Sequence, residues 1–339
     1  VTGLNAGGKV AVTEDRQRAL IIAGPTCSGK SAMALALAQE LDGVVINADS
    51  MQIYQDLHIL TARPSPEDEL AVDHRLYGVL PASEAGNVAW WRTQALRVME
   101  EAWAEGRLPI LCGGTGMYLR ALTSGLSDIP DPGEEARQEA RAFALEYGAE
   151  ALHARLLAED PETARTLRPS DTQRVTRAWE VWRGTGHGLI WWRTQASLPA
   201  APCDFTAIRL NPARPALRQA ITTRFEMMLE NGAIEEAKSL KEKNLPSELP
   251  AMRAHGLPEL LSFLNNEISL ETAKEKAVQA TCRYTKRQTT WFAHQHLTDA
   301  HRTLLIDTEN SIDAKFMERN IAHFLSFIEN AIDERITQP

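Results

Sequence analysis

The sequence predicts an α/β fold, a parallel sheet flanked by helices with a small inserted helical domain, on three observations. Short apolar runs alternate with stretches of helical periodicity. A glycine-rich loop joins the first run to the first helix. A turn-rich segment, SDIPDPGEE, then breaks the alternation, which resumes only near residue 205.

The first strand is expected over residues 19–23 (ALIIA), followed by a helix over 31–41. A second apolar run, 44–46, ends at Asp49, and a third, 108–112, ends at Gly113. Between them, Ala95, Leu96, Val98, Met99, Ala102 and Trp103 recur at helical spacing before Gly106, a residue suited to closing a helix. From SDIPDPGEE to about residue 188 the chain is charged and helical with no strand signal. The division expected is therefore a core of 1–128 with 189–339, and an inserted helical domain of 129–188. FTAIRL at 205–210 reads as a returning strand, and 216–302 as helices broken by LPSELP and NNEIS. From Thr303 a short run, TLLI, precedes an amphipathic helix. The hexapeptide WWRTQA stands at both 90–95 and 191–196, but its flanks do not match, which excludes a duplicated domain.

Composition narrows the class. The 339 residues are 44% hydrophobic and 24% charged, which excludes disordered, collagen-like and coiled-coil chains and suffices for about two domains. No apolar stretch approaches the roughly 18 residues of a membrane span, and the opening residues lack a signal peptide's apolar core, so neither membrane insertion nor secretion is expected. Cys27, Cys112, Cys203 and Cys282 stand far apart with no C-x-x-C pair, the pattern of reduced thiols in a cytoplasmic enzyme and not of a zinc site. A net charge of -9 argues against indiscriminate coating of nucleic acid.

Gly24-Pro25-Thr26-Cys27-Ser28-Gly29-Lys30-Ser31 is a complete G-x-x-x-x-G-K-[ST] between a strand and a helix, the context that makes it a P-loop. Loop N–H groups and the helix N-terminus attract a phosphate, Lys30 neutralises it, and the Ser31 hydroxyl is a ligand for Mg²⁺. An NTPase also needs a metal-binding acid at the end of a later strand, and LPILCGG carries none. The acid in such a position is Asp49, in VVINADSMQ: a metal ligand, a base, or the cap of the next element. Gly113-Gly-Thr-Gly116 lets backbone approach a ligand and brings Thr115 near it, although such turns are as often only turns.

Basic residues cluster despite the acidic total. Six arginines (165, 168, 174, 177, 183 and 193) face two acids over 165–193, and Arg209, Arg214, Arg218 and Arg224 face none over 207–224. Arg283, Lys286 and Arg287 share one helical face beside Tyr284 and Trp291, a pattern for phosphate contact with aromatic stacking or simply a solvated face. Ser170-x-x-Gln173 fits a capping box, in which Gln173 only closes a helix start.

Taken together, GPTCSGKS, DSMQIY, TARP, LPILCGGTGMYLRAL, PSDTQRVTRAWEV, RFEMMLENGAIEEAK, AMRAHGLPEL and TCRYTKRQTTWF occur in the order and spacing of the bacterial tRNA dimethylallyltransferases, which the chain resembles over residues 19 to 293. The resemblance implies a P-loop NTPase-like core that transfers the dimethylallyl group of dimethylallyl diphosphate to N6 of the adenosine at tRNA position 37, 3′ of the anticodon, with Mg²⁺. It implies that residues 24–31 hold the diphosphate and that Asp49 is the general base. Thr115 is implied as a catalytic-site threonine and Arg224 as an aid to the leaving group. Asp49, Ser50, Met51 and Gln52 would receive the adenine. Asp171, Gln173, Arg174, Arg253, Gly256, Arg283, Lys286 and Arg287 would contact the anticodon stem-loop of tRNA. No obligate protein partner is expected, and the chain is expected to act as a monomer. The chain departs from the family's usual residues at Cys27, at Leu60 and Arg63, at Gly86-Asn87 and at His255-Gly-Leu257.

Three other readings share part of this pattern. An adenine-nucleotide prenyltransferase needs neither the insertion nor the basic C-terminal helix. A small-molecule P-loop kinase is a shorter, single domain. A non-catalytic RNA-binding protein has no need of Lys30, Ser31 and Asp49 together.

Overall fold

The computed structural model describes residues 16–195, 197–308 and 314–333. Among these, eight strands form: β1 (Gln17–Ala23), β2 (Gly43–Asn47), β3 (His74–Arg75), β4 (Leu108–Gly113), β5 (Leu126–Ser127), β6 (Ser197–Leu198), β7 (Cys203–Pro212) and β8 (Thr303–Thr308). The helices are α1 (Lys30–Glu40), α2 (Pro66–Ala71), α3 (Val88–Ala104), α4 (Gly116–Thr123), α5 (Glu134–Glu159), α6 (Pro161–Ala164), α7 (Thr172–Thr185), α8 (Leu189–Thr194), α9 (Arg214–Glu230), α10 (Ala233–Glu242), α11 (Leu257–Leu264), α12 (Leu270–His294) and α13 (Ala314–Asp333).

Six strands make one sheet in the order β3-β2-β4-β1-β7-β8, and every pairing in it is parallel. A parallel sheet carries helices on both faces, so its strands read as unbroken apolar runs. β1 shows this directly: Ala19, Ile21 and Ala23 enter one buried cluster, while Leu20 and Ile22 enter the other. The first cluster packs the sheet against α3, α4 and α9 to α12 through Trp91, Tyr118, Phe225, Leu260 and Phe292. The second packs it against α1 and α13 through Met33, Leu37, Phe324 and Ile328. The amphipathic helix expected after Thr303 is thus a cover for the sheet, and TLLI is its edge strand β8.

The chain divides into two compact units, 1–123 with 201–339, and 124–200. The second unit is wider at both ends than the 129–188 expected for the insertion. Its base is an antiparallel ribbon in which β5 pairs with β6, too short to signal itself in sequence, and α8 also belongs to it. Inside it, Ala140, Leu152, Leu156, Val175 and Trp179 form a small separate core, and α5 bends at Gly148, whose φ of 84° leaves the helical region. The helix start expected at Ser170 is displaced by one residue: Asp171 is the cap, its Oδ1 accepting from the Arg174 N–H at 3.2 Å. Aspartate and serine compete closely for this role, so the spacing alone did not separate them.

Candidate active site

The carboxyl ends of β1, β4 and β2 lie side by side in the sheet, and the three loops leaving them form the site, as ligand sites do in open parallel sheets. The loop after β1 turns into α1 at Gly29, which sits in the left-handed region at φ 92° and supplies no side-chain cap. The first-turn N–H groups of α1 therefore remain for an anion. Gly24 is required by contact, since a Cβ there would stand 2.8 Å from the Leu210 carbonyl oxygen on β7. Lys30 Nζ donates to the Pro25 carbonyl at 2.8 Å, folding the lysine back over the loop. Burial lowers its pKa, a shift that Asp49 opposes and Arg224 adds to. Ser28 Oγ is buried with no hydrogen-bond partner, a polar atom waiting for a ligand inside the cradle.

Sequence reasoning missed the side chain that fixes this loop. Gln288 of α12 accepts from the Thr26 N–H at 2.9 Å and donates through Nε2 to the Gly114 carbonyl at 3.0 Å, tying the phosphate loop to the loop after β4. That second loop is glycine-rich for packing. A Cβ on Gly113 would meet the Ala48 carbonyl carbon at 2.1 Å, and one on Gly116 the Trp291 ring at 2.3 Å. Trp291, half-buried, is thus packed against the backbone of this loop.

Asp49 follows β2 in a turn that its neighbours over-determine. The Asn47 side chain accepts from the Asp49 N–H at 2.8 Å and donates to the Asp49 carbonyl at 3.0 Å. Asp49 Oδ1 accepts from the Met51 N–H at 2.9 Å, so the carboxylate both caps its own turn and lines the adjoining cavity. Thr115 stands behind this turn: its Oγ1 accepts from the Ser50 N–H at 2.9 Å and lies 3.3 Å from Ser50 Oγ. Gln52 spends both amide hydrogens on the Thr61 and Ala62 carbonyls, at 3.0 and 2.9 Å. Arg224 reaches from α9 to the Thr61 carbonyl at 3.2 Å and to Cys27 Sγ at 3.6 Å, bridging the same loop to the phosphate loop.

Together these residues enclose a cavity of about 370 Å³. Its lining is polar at Thr26 to Ser31, Asp49 and Arg224, and apolar at Leu60, Phe225 and Met228. Cys112, His255 and Tyr284 also line it. Burial pushes the Cys112 thiol up to about 11. Burial, and next the Asp49 charge, push the Tyr284 phenol well above its ordinary value.

Of the residues expected at tRNA, Asp49, Met51 and Gln52, expected at the adenine, line this cavity, while those expected along the anticodon stem-loop are not in its lining. Arg253, Arg283, Lys286 and Arg287 are exposed, Arg287 lying 5.5 Å from the centre of the Tyr284 ring, while Gly256 is buried at φ 93°. In the second unit Gln173 and Arg174 are exposed, and Arg174 pairs with Asp171 at 3.5 Å. Among the described residues no group of three or more His, Cys, Asp or Glu is arranged to hold a metal, and no helix is long and apolar enough to cross a membrane.

The sheet order and the phosphate loop at its centre define a P-loop NTPase-like α/β protein. A family model described as IPP transferase matches residues 52–295, and the chain belongs to that family. It is 60% identical over 311 residues to a tRNA dimethylallyltransferase of Gluconobacter oxydans, covering 91% of this chain and 94% of that one. It is 58% identical over 312 residues to one of Granulibacter bethesdensis, covering 92% and 98%. Among solved structures it resembles the tRNA isopentenylpyrophosphate transferase of Bacillus halodurans, with TM-score 0.66 and 32% identity over 94% of this chain and 97% of that one. A eukaryotic dimethylallyltransferase acting on tRNA gives TM-score 0.75 and 26% identity over 95% and 80%.

Proposed function

We propose that this chain transfers the dimethylallyl group of dimethylallyl diphosphate to N6 of the adenosine 3′ of a tRNA anticodon, releasing diphosphate, and does so in the cytoplasm. The observation that carries the reading is the lining of the cavity. One cavity is bordered by a phosphate cradle, by the apolar side chains Leu60, Phe225 and Met228, and by the Asp49 carboxylate. Relatives that share about three-fifths of the sequence are tRNA dimethylallyltransferases, which favours a prenyl donor over the phosphate donor of a kinase.

An exocyclic adenine amine is a weak nucleophile because its lone pair is delocalised into the ring. The loop N–H groups, Lys30 and Arg224 stabilise the charge that gathers on the departing diphosphate, while Asp49 accepts the amine proton as nitrogen bonds carbon. Asn47 and Thr115 hold the Asp49 turn and act as positioning residues. The donor set suits Mg²⁺, which takes few protein ligands and completes its shell with phosphate and water. Ser31 is the hydroxyl that would hold it, and when bound it neutralises diphosphate charge. Leu60, Phe225 and Met228 receive the prenyl chain and exclude water. An unpaired anticodon loop lets its adenine leave the stack cheaply, and Arg253, Arg283, Lys286 and Arg287, with Arg174 of the second unit, bind the flanking phosphates.

The test supplies labelled dimethylallyl diphosphate and Mg²⁺ with either unmodified tRNA or AMP. Label on the tRNA adenosine is expected; label on AMP alone makes the chain a nucleotide prenyltransferase. Asp49→Ala is expected to retain both substrates while losing turnover by about 100-fold or more. Lost binding with normal single-turnover chemistry reassigns Asp49 to substrate positioning.

A further inference from the structure

We propose that His255 is a second proton station of the reaction, taking onward from Asp49 the proton that leaves the acceptor amine. The proposal rests on the prenyl-transfer reading of the cavity. The lining of that cavity brings together one carboxylate and one imidazole, Asp49 and His255.

The imidazole is held by a ring contact, and the backbone that carries it is pinned next door. Its ring lies 4.5 Å from that of Tyr284, at an interplanar angle of 46°. The next residue, Gly256, is pinned against Phe225, whose ring a Cβ there would approach to 2.7 Å. Burial lowers the His255 pKa, the Asp49 carboxylate pulls it back up, and Arg287 lowers it further, so the ring is neutral at pH 7 and free to accept. The other charged groups of its own segment are Arg253 and Glu259.

The balance is simple. Nitrogen bonds the donor carbon as the carbon–oxygen bond to diphosphate breaks, and that electron pair leaves with the diphosphate. The amine proton passes to the Asp49 carboxylate. With donor and adenine filling the cavity, the new carboxylic acid is shielded from bulk water, and an imidazole binds a proton more tightly than a carboxylate does. The proton moves to the free ring nitrogen of His255 and leaves when products do.

The test compares wild type, His255→Asn and His255→Gln in kcat and kcat/KM across pH, with saturating dimethylallyl diphosphate, Mg²⁺ and an anticodon stem-loop RNA. Circular dichroism and donor Kd serve as controls for folding. A fall of about tenfold in kcat is expected, with loss of the acid limb that protonation of His255 imposes on wild type, and with partial rescue by added imidazole. Unchanged kcat overturns the proposal. So does a lower kcat with the wild-type pH profile and no response to imidazole, which would leave His255 a packing partner of Tyr284. A wild type that transfers nothing to the RNA overturns the prenyl-transfer reading itself, a result separate from an active wild type matched by its variants.

Discussion

The same six residues, WWRTQA, build two unlike pieces of this molecule. At 90–95 they lie in α3 against the sheet, where Trp91 is fully buried, its ring stacked 4.4 Å from that of Tyr118. Arg92 is buried with it and donates through Nε to the Ala121 carbonyl at 3.1 Å. At 191–194 they lie in α8, which has no buried residue; Gln195 follows as its C-cap, and Ala196 falls outside the described residues. There Trp191 is 39% exposed and stacks 3.7 Å from His187. Trp192 donates to Thr185 Oγ1 at 2.9 Å, and Arg193 is exposed. Both copies are helical, so local propensity acts alike on each; what differs is the surface that the surrounding chain supplies. The first copy also serves the site, because Trp91 Nε1 donates to the Asn47 carbonyl at 2.8 Å, and the Asn47 side chain holds the Asp49 turn.

The sharpest way to break this comparison is truncation in the first copy. Trp91→Ala removes the largest buried ring of the core and is expected to cost about 3 to 5 kcal/mol in urea unfolding, enough to leave much of the protein unfolded at 37 °C. A cost below about 1 kcal/mol would mean that the two copies are equivalent after all.

Trp91→Phe sharpens it. The ring stack survives while the Asn47 carbonyl loses its donor, for an expected cost of about 1 to 3 kcal/mol. Because Asn47 orients Asp49, turnover should fall about tenfold or more with donor Kd unchanged. Trp192→Phe, the matching change in the second copy, should leave both untouched.

These contacts also mark where sequence reading stops. The strand, phosphate loop and first helix were legible because they are one continuous stretch with short-range patterning. Asp49 was legible as an acid at a strand end, although its second job of capping its own turn was not separable from the first. Gln288, His255, Phe225 and Met228 were not legible. Helical periodicity says which face of α9, α11 or α12 is buried, but not against what, and Gln288 meets Thr26 across 262 residues of chain. Trp291 was legible as an aromatic beside cations, but its packing onto Gly116 was not.

A third prediction concerns what holds the second unit together in place of a large core. Glu139 accepts from Arg183 Nε at 2.8 Å and from Trp179 Nε1 at 3.3 Å, and chiefly the Arg183 bond keeps its carboxyl below the usual range. A depressed carboxylate stabilises the fold above its unfolded pKa, and that contribution is lost as pH falls through the lower folded value. Glu139→Gln should therefore cost about 1 kcal/mol at pH 7. The gap between variant and wild type should close as pH drops below about 4. Hydrogen exchange of α5 and α7 reads this, and a gap independent of pH would assign the effect to shape.

The smallest effect expected is in the second copy itself. Trp191→Ala exposes little that was hidden, since Trp191 is already 39% exposed and the rings it meets among the described residues are those of His187 and Trp192. A change within about 0.5 kcal/mol in urea unfolding is expected, about a tenth of the largest cost set for Trp91→Ala. A loss comparable to that of Trp91→Ala would show that α8 anchors its unit through Trp191. Trp191 is the counterpart of the half-buried Trp90. The contrast between a buried and a solvated use of one hexapeptide would then fail at its first tryptophan. It would survive at the second, Trp91 against Trp192, and at the arginine, where Arg92 is buried and Arg193 is exposed.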